Sequence, residues 1–453
     1  MNILSLDKSR FLSSEFPQSP SVGKRFGKII KNKTKNVHAI TLQIIKILKY
    51  SYKSILYITY DGLLEPLGYS QVVRYMERLS LEYRIVIISF EKSSDWQKGQ
   101  SRDAMYKKMY NFGITWIPLR YHKRPSAIAT LFDIMVGFSV SLYVVLRYRS
   151  KVVHARSYVP SVIALCIKKI LGRKFIFDMR GFWADERVEG GLWPEAGILY
   201  RLAKWFERQF LQNADTVVSL THAAVSEMQT WTFLKTRLPL FEVIPTCTDL
   251  KHFQPIHEAI SEQWQVHRPF TLGYVGSVGV WYLFDEVLEC FKQLKTIRSD
   301  ALLYIVNRGN HPFILDRMKI VGISLEDVKI VSLDATEVVH AIQRMDAGVF
   351  FYKPLYSKIA TAPTKMGEFL ACGVPCLSNA GIGDTEKIME QENVGIIVRS
   401  MDKESIQDGL QRLLILASDE MVRKRCVEAA RKHFSLDFGV TTYASIYEKL
   451  IKA

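Results

Sequence analysis

One pattern constrains this chain more than any other. Short apolar bursts alternate with helix-length stretches, and the series runs twice. The first series has bursts at Ile55–Tyr60, Ile85–Phe90, Val152–His154, Phe175–Asp178 and Thr216–Leu220, with helical stretches such as Gln71–Leu81 and Ile198–Gln212 between them. Strands this short and this apolar, separated by helices, predict a parallel sheet covered on both faces. The pattern resets at Pro245–Pro255, which carries two prolines and several turn formers, and the polar segment Ile256–Pro269 follows. A second series then runs through Leu272–Gly276, Leu302–Val306, Val328–Val331, Gly348–Phe351, Pro375–Ser378 and Gly395–Val398.

The expected fold class is therefore α/β, with two Rossmann-like doubly wound domains at 54–255 and 256–436 and a hinge near 250–269. The final segment has Val440, Tyr443, Ile446 and Leu450 at helical spacing. It predicts a helix at 437–453 that packs back toward the first domain. Ligands of doubly wound sheets bind beyond the carboxyl ends of the strands, so an interdomain cleft is the natural site.

Charge separates the N-terminus from the rest. The net charge is +16, and residues 1–53 hold eleven Lys/Arg against Asp7 and Glu15, so +9 of it lies there. Residues 1–37 read as a basic disordered arm. His38–Lys53 places Ile40, Ile44, Ile47 and Leu48 at helical spacing beside Lys46 and Lys49. That short amphipathic helix suits an anionic membrane surface or a seat on the body of the protein. Nucleic acid is a remote alternative, because no nucleic-acid motif appears in the body. The stretch Ile128–Leu146 is the best membrane-spanning candidate, but Asp133 interrupts it, and a buried helix of a soluble domain is the preferred reading. Six scattered cysteines fit a reducing compartment. Cys372 and Cys376 form a C-x3-C pair with no second ligand pair nearby, so neither zinc nor another metal is expected.

Several loops after the expected strands carry chemistry. Gly62 and Gly68 in the first permit close backbone approach to a ligand. His154, Arg156 and then Asp178, Arg180, Asp185 and Glu186 follow two successive strands of the first domain. In the second domain Gly276 and Ser277 follow the first strand and Arg308 the second. No G-x-G-x-x-G is present, so the dinucleotide fingerprint fails. In Tyr352–Ser378, Thr364 reads as the N-cap of a helix that runs to about Cys372 and stops at Gly373. Lys358 precedes that helix and Lys365 lies in its first turn, where a cation opposes the helix dipole unless an anion docks there. Glu368 lies one turn further on, within reach of a ribose hydroxyl pair.

These residues resemble a family. The run E-F-L-A-C-G-V-P at Glu368–Pro375 is similar to the E-A-M-A-C-G-x-P signature of the retaining glycosyltransferases of family four (glycosyl transferases group 1), which have the GT-B fold. YVGS at 274–277, IPTCTDLKHFQP at 244–255 and ADTVVSLT at 214–221 resemble it too. DGLLEPLGYSQV at 61–72 and FDMRGFWADER at 177–187 look like a branch found in surface-polysaccharide clusters. The resemblance covers about residues 54–450.

The resemblance implies a nucleotide-sugar donor on the second domain and a glycan or lipid-linked acceptor on the first, at the cytoplasmic face of the membrane. It implies a hexosyltransferase-like reaction with retention and with neither cofactor nor metal. The family's ribose-holding glutamate falls on Glu368, but its first glutamate falls on Ala360. The family's arginine and lysine after the YVG strand are absent, with Ser277, Trp281 and Tyr282 in that stretch. Gly276, Ser277, Arg308, Lys358, Thr364 and Lys365 are therefore expected to hold the donor diphosphate. Gly68, Arg156, Asp185 and Glu186 are expected to face the acceptor. The family's catalytic histidine has two candidate matches, His154 and Arg180. A nucleotide-sugar epimerase on the same fold, or a degenerate member that binds without transferring, are the alternatives.

Overall fold

The computed structural model describes residues 53–124, 126–256, 268–334 and 336–453. The basic arm, nearly all of the amphipathic stretch His38–Lys53 and most of the polar hinge segment lie outside the described residues.

Two all-parallel sheets form the body. The first has seven strands in the order β3-β2-β1-β4-β5-β6-β7: β1 (Ser54–Thr59), β2 (Arg84–Glu91), β3 (Thr115–Arg120), β4 (Val152–Arg156), β5 (Lys174–Asp178), β6 (Thr216–Ser219) and β7 (Leu240–Val243). The second has six in the order β10-β9-β8-β11-β12-β13: β8 (Thr271–Val275), β9 (Leu302–Val306), β10 (Val328–Val331), β11 (Ala347–Phe350), β12 (Cys376–Asn379) and β13 (Gly395–Val398). In both, the chain starts at the centre, moves out to one edge, then crosses back. β1 shows the reason for its apolar run: Ile55 pairs with Ile85 on one side and Val152 on the other, and all six of its residues are buried.

The strands absent from the sequence reading are β3 and β7, both at sheet edges. β3 contains Pro118, which only an edge strand tolerates. β7 is partly exposed throughout and lacks the apolar run of a central strand.

Helices cover both faces of the first sheet. On one face lie α1, a helical run made of Pro66–Gly68, a π-type turn at Tyr69–Val73 and Arg74–Leu79, and α2 (Gly99–Asn111). On the other lie α3 (Ser126–Tyr148), α4 (Tyr158–Leu171), the short α5 (Trp183–Glu189) and α6 (Ile198–Asn213). α7 (His222–Thr230) leads from β6 to β7. In the second domain α8 (Phe284–Ile297), α9 (His311–Val321), α10 (Thr364–Ala371), α11 (Thr385–Glu392), α12 (Lys403–Ser418) and α13 (Val422–Phe434) surround a single core. The last helix, α14 (Leu436–Lys452), crosses to the first domain and packs on the α1 side, where Tyr443, Ile446, Tyr447 and Leu450 join Val72 and Tyr75.

Two local expectations change. α10 starts at Thr364, but its N-cap is Pro363 and no side chain caps it, so Thr364 is the first helical residue. α3 is helical over the whole apolar stretch, yet it is not the buried core helix expected. By length and composition it could cross a membrane, and 33% of its most apolar stretch is buried. Its inward side carries Ala129, Asp133, Gly137 and Ser141 together with the fully buried Val144 and Val145, while several large apolar side chains remain turned outward.

Candidate active site

On the second-domain side, the chain leaves β8 through Gly276, whose φ of +126° is open to glycine and strained for other residues. A Cβ there would lie 3.2 Å from Lys365 Nζ, so the absence of a side chain opens the turn to that cation. Asn307, at the end of β9, braces the turn. Its amide donates to the Gly276 carbonyl at 2.8 Å, and its side-chain oxygen accepts from the Gly309 and Asn310 N–H groups.

Lys365 is 7% exposed, and its Nζ has no hydrogen-bond partner. It stands 4.2 Å from the ring centre of Tyr282, 5.2 Å from Tyr274 and 5.4 Å from Tyr352. The ring faces recover part of the desolvation cost of a buried ammonium, but they accept no hydrogen bond from it. Burial accordingly pushes the Lys365 pKa down to about 7. Glu368 lies one turn along α10, and burial pushes its carboxyl up to about 7 against the pull of Lys365. A site with a cation short of acceptors, a bare glycine turn and an uncapped helix start fits an anion such as a diphosphate.

The other expected donor residues divide. Lys358 is buried, 2.9 Å from Glu186 Oε1 and 4.3 Å from the centre of the Trp281 ring, so it links the second domain to the first. Ser277 is exposed, and its carbonyl accepts from Tyr274 Oη. Arg308 turns to Asp334 at 2.7 Å with its side chain 53% exposed, rather than to Lys365.

The first-domain wall differs from its expectation at several positions. The strand β4 continues to Arg156, so His154 is mid-strand. It is completely buried among Tyr57, Tyr443 and Tyr447, with Nδ1 2.8 Å from the Tyr447 hydroxyl. Burial lowers its pKa, and it presents no face to a substrate. Of the two catalytic candidates, Arg180 alone retains exposure. It takes a left-handed φ of +53° ahead of Gly181, an uncommon conformation for a non-glycine residue. Its guanidinium lies 3.7 Å from Asp178 and 3.5 Å from the Gln71 side-chain oxygen.

Arg156 is buried and donates to Asp61 at 3.2 Å, with Asp178 at 3.7 Å, so it serves the interior rather than an acceptor. Burial alone would raise the Asp178 pKa. The charges of Arg180 and Arg156 and the neighbouring His154 hold it down to about 2. Asp185 accepts from Tyr200 and Lys204 and is spent on holding α5 to α6. Glu186 is taken by Lys358. Gly68 does not open space for a ligand: a Cβ there would lie 2.0 Å from the Gly62 carbonyl oxygen, so its role is the close packing of the helix start on the loop.

Other residues that join the walls carried no motif in the sequence. Asp384 accepts from the backbone N–H groups of His222 and Ala223 at 2.7 and 2.9 Å, so a second-domain carboxylate caps α7 of the first. Glu189 accepts from the Ser357 N–H at 3.1 Å, and the Phe182 and Tyr356 rings stack at 5.3 Å. Thr221 and Thr246 hydroxyls donate to the carbonyls of Ile359 and Ala362. Their signal lies in contacts more than a hundred residues apart, which no local pattern reveals. Among the described residues no group of three or more His, Cys, Asp or Glu is placed to hold a metal ion.

Two doubly wound parallel-sheet domains that meet at their strand ends define the GT-B class of α/β protein. Residues 71–240 match the family described as glycosyl transferase 4-like domain, and residues 257–433 match glycosyl transferases group 1. Between them the two matches cover most of the chain, which belongs to the glycosyltransferases of the GT-B fold.

Solved structures agree in fold. The chain is similar to sucrose-phosphate synthase from Thermosynechococcus elongatus (13% identity, TM-score 0.67, covering 88% of this chain and 99% of that one). It is similar to a glycosyltransferase from Rickettsia africae (14%, TM-score 0.64, 88% and 99%). It also resembles the Anabaena protein HepE, solved in complex with UDP and glucose (12%, TM-score 0.59, 87% and 99%). No curated protein matches the chain by sequence.

Proposed function

We propose that this glycosyltransferase takes a hexose from a nucleotide-sugar donor and places it, with retention, on a glycan or lipid-linked acceptor in cell-surface polysaccharide synthesis. The observation that carries the donor assignment is the buried, unbonded Lys365 Nζ beside the bare Gly276 turn. In this reading Lys365 and the free N–H groups at Thr364 receive the diphosphate, Glu368 holds the ribose, and protein cations do the work that a metal does elsewhere. Lys358 turns from Glu186 to the leaving diphosphate, and Arg180 faces the transferring sugar. The Anabaena protein that shares the fold was solved with UDP and glucose, which supports a uridine nucleotide as the first donor to try. Retention and the polysaccharide role rest on the sequence resemblance. A cytoplasmic location with peripheral contact at the inner membrane face rests on the basic arm and on the lipid-linked acceptors of such enzymes.

Ala360, in place of an acidic residue, supports a second reading in which the chain binds a donor without transferring it. Calorimetric titration of UDP and GDP into wild type and Lys365→Met tests the site. Binding by wild type that weakens in the variant is the expected result, and no binding of either nucleotide overturns the assignment. Turnover of a bound donor with a mixed acceptor pool, followed by the anomeric proton signal of the product, then separates transfer from binding and retention from inversion.

A further inference from the structure

The helix α3 is apolar on both sides. One inward stripe, at four-residue spacing, is Ala129, Asp133, Gly137 and Ser141, all buried, and Val144 and Val145 are fully buried beside it. Gly137 fits because its neighbours leave no room: a Cβ there would lie 2.7 Å from Ile163 and 2.9 Å from Phe90. Asp133 is satisfied inward by the Tyr60 hydroxyl at 2.8 Å and the His122 ring at 2.6 Å. The outward side also holds large apolar side chains: Ile128 is 68% exposed, Leu131 57%, Phe132 48%, Met135 53%, Tyr143 62% and Leu146 56%. A helix with water on its outer side has the opposite arrangement. At 23 residues the helix runs about 35 Å along one side of the first domain.

Charge at its two ends selects what covers it. Lys123 and Arg124 precede the helix, Arg147 lies in its last turn, and Arg149 and Lys151 follow it, all exposed. The only carboxylate between 121 and 151 is Asp133, which is buried. Pairing α3 with its copy about a two-fold axis would set cation against cation with no carboxylate between them. An anionic lipid surface supplies apolar depth along the helix and negative charge at both ends. On the same face of the sheet α6 adds a smaller footprint, with Leu202 48% and Trp205 53% exposed beside the exposed Arg201.

We propose that the outer face of α3, extended by α6, is a membrane-docking surface, with the helix lying flat at the headgroup–acyl boundary of an anionic bilayer. The helix does not span, because its inner stripe is packed on β1, β2 and α4. The proposal is independent of the donor site and of the basic arm, and vesicle binding is scored with no nucleotide present.

The experiment is co-sedimentation of the full chain with phosphatidylcholine vesicles, with and without about one third phosphatidylglycerol. Wild type is compared with Leu131→Glu/Met135→Glu and with Leu131→Ser/Met135→Ser. These positions are solvent-facing, and thermal melting checks that the variants fold. The expected result is preference for the anionic vesicles, lost about tenfold in the glutamate pair and several-fold in the serine pair. The arm is identical in all three proteins, so it contributes nothing to the difference. Equal binding by wild type and the glutamate pair overturns the proposal. So does loss in the glutamate pair with none in the serine pair, since charge alone would then explain it. A wild-type dimer in light scattering that either pair converts to monomer, with vesicle binding unchanged, overturns it in favour of a second copy.

Discussion

The two walls of the cleft treat buried charge in opposite ways. In the first domain Asp178 sits between Arg156 and Arg180, Arg156 also reaches Asp61, and the Tyr443 hydroxyl of α14 donates to Asp178 at 3.0 Å. In the second domain Lys365 Nζ meets only ring faces, with a turn of helix between it and Glu368. A self-paired wall keeps its geometry with or without a ligand. An unpaired buried cation is stabilised most by an anion that arrives from outside. The difference is that expected of a scaffold built on Asp178 and Arg156, from which Arg180 reaches outward, set against the binding role proposed for Lys365.

The strongest way to break this comparison is Asp178→Ala. It removes the carboxylate between the buried Arg156 and the partly exposed Arg180 and is expected to cost about 3–5 kcal/mol in urea unfolding. A loss well under that would mean the cluster is not self-supporting. Gly68→Ala comes next, because the added methyl meets backbone atoms of Gly62 that have no way to yield. Overpacking of about 1–3 kcal/mol is expected from the same measurement, with any nucleotide bound as before.

Lys365→Met sharpens the contrast. It removes a charge that has no hydrogen-bond partner among the described residues and only the attraction of Glu368 one turn away, so stability stays within about 1 kcal/mol of wild type or rises. Nucleotide affinity falls by about 1.5–3 kcal/mol in calorimetry, the worth of a charged hydrogen bond. A variant as unstable as Asp178→Ala would reassign Lys365 to the scaffold.

The pH dependence carries its own sign. The folded chain releases the Lys365 proton near pH 7, whereas the unfolded chain keeps it to 10.5, so this residue's contribution to stability rises with pH across that window. Glu368 in the folded chain keeps its proton to about 7 while the unfolded chain loses it at 4.5, so its contribution falls with rising pH there. Unfolding free energy against pH is expected to dip near neutrality, and Lys365→Met is expected to lose the alkaline rise. Nucleotide affinity should fall above neutrality in wild type, as Lys365 loses its charge, and lose that slope in the variant. The smallest effect belongs to Arg308→Ala. Its exposed pair with Asp334 should change stability by less than about 0.5 kcal/mol and nucleotide affinity by less than about twofold.

Much of the fold was legible because parallel central strands must be apolar on both faces. β1, β2, β5 and β9 stood out for that reason, while the edge strands β3 and β7, with one side unpaired, did not. In the second domain the turn at Gly276 and the helix that carries Lys365 and Glu368 were legible, since these residues lie in short segments with their own turn and helix signals. The first-domain site was misread at His154 and Arg156. Both sit at the end of an apolar burst that looks like a strand terminus, and only the partner strands and α14 show that they point inward.

By itself the sequence determined two doubly wound domains, the α10 helix with its lysine and glutamate, and the family. Each follows from periodicity or from residues close together in the chain. Tertiary structure alone decided which charges are paired, because a pairing such as Lys358 with Glu186 or Asp384 with the α7 N-terminus spans well over a hundred residues. It alone decided which face of α3 turns outward, because a helix that is apolar nearly all round carries no record of which side the sheet takes. That choice was made by Gly137, whose missing side chain lets the helix approach Phe90 and Ile163, and by the partners that hold Asp133 inside.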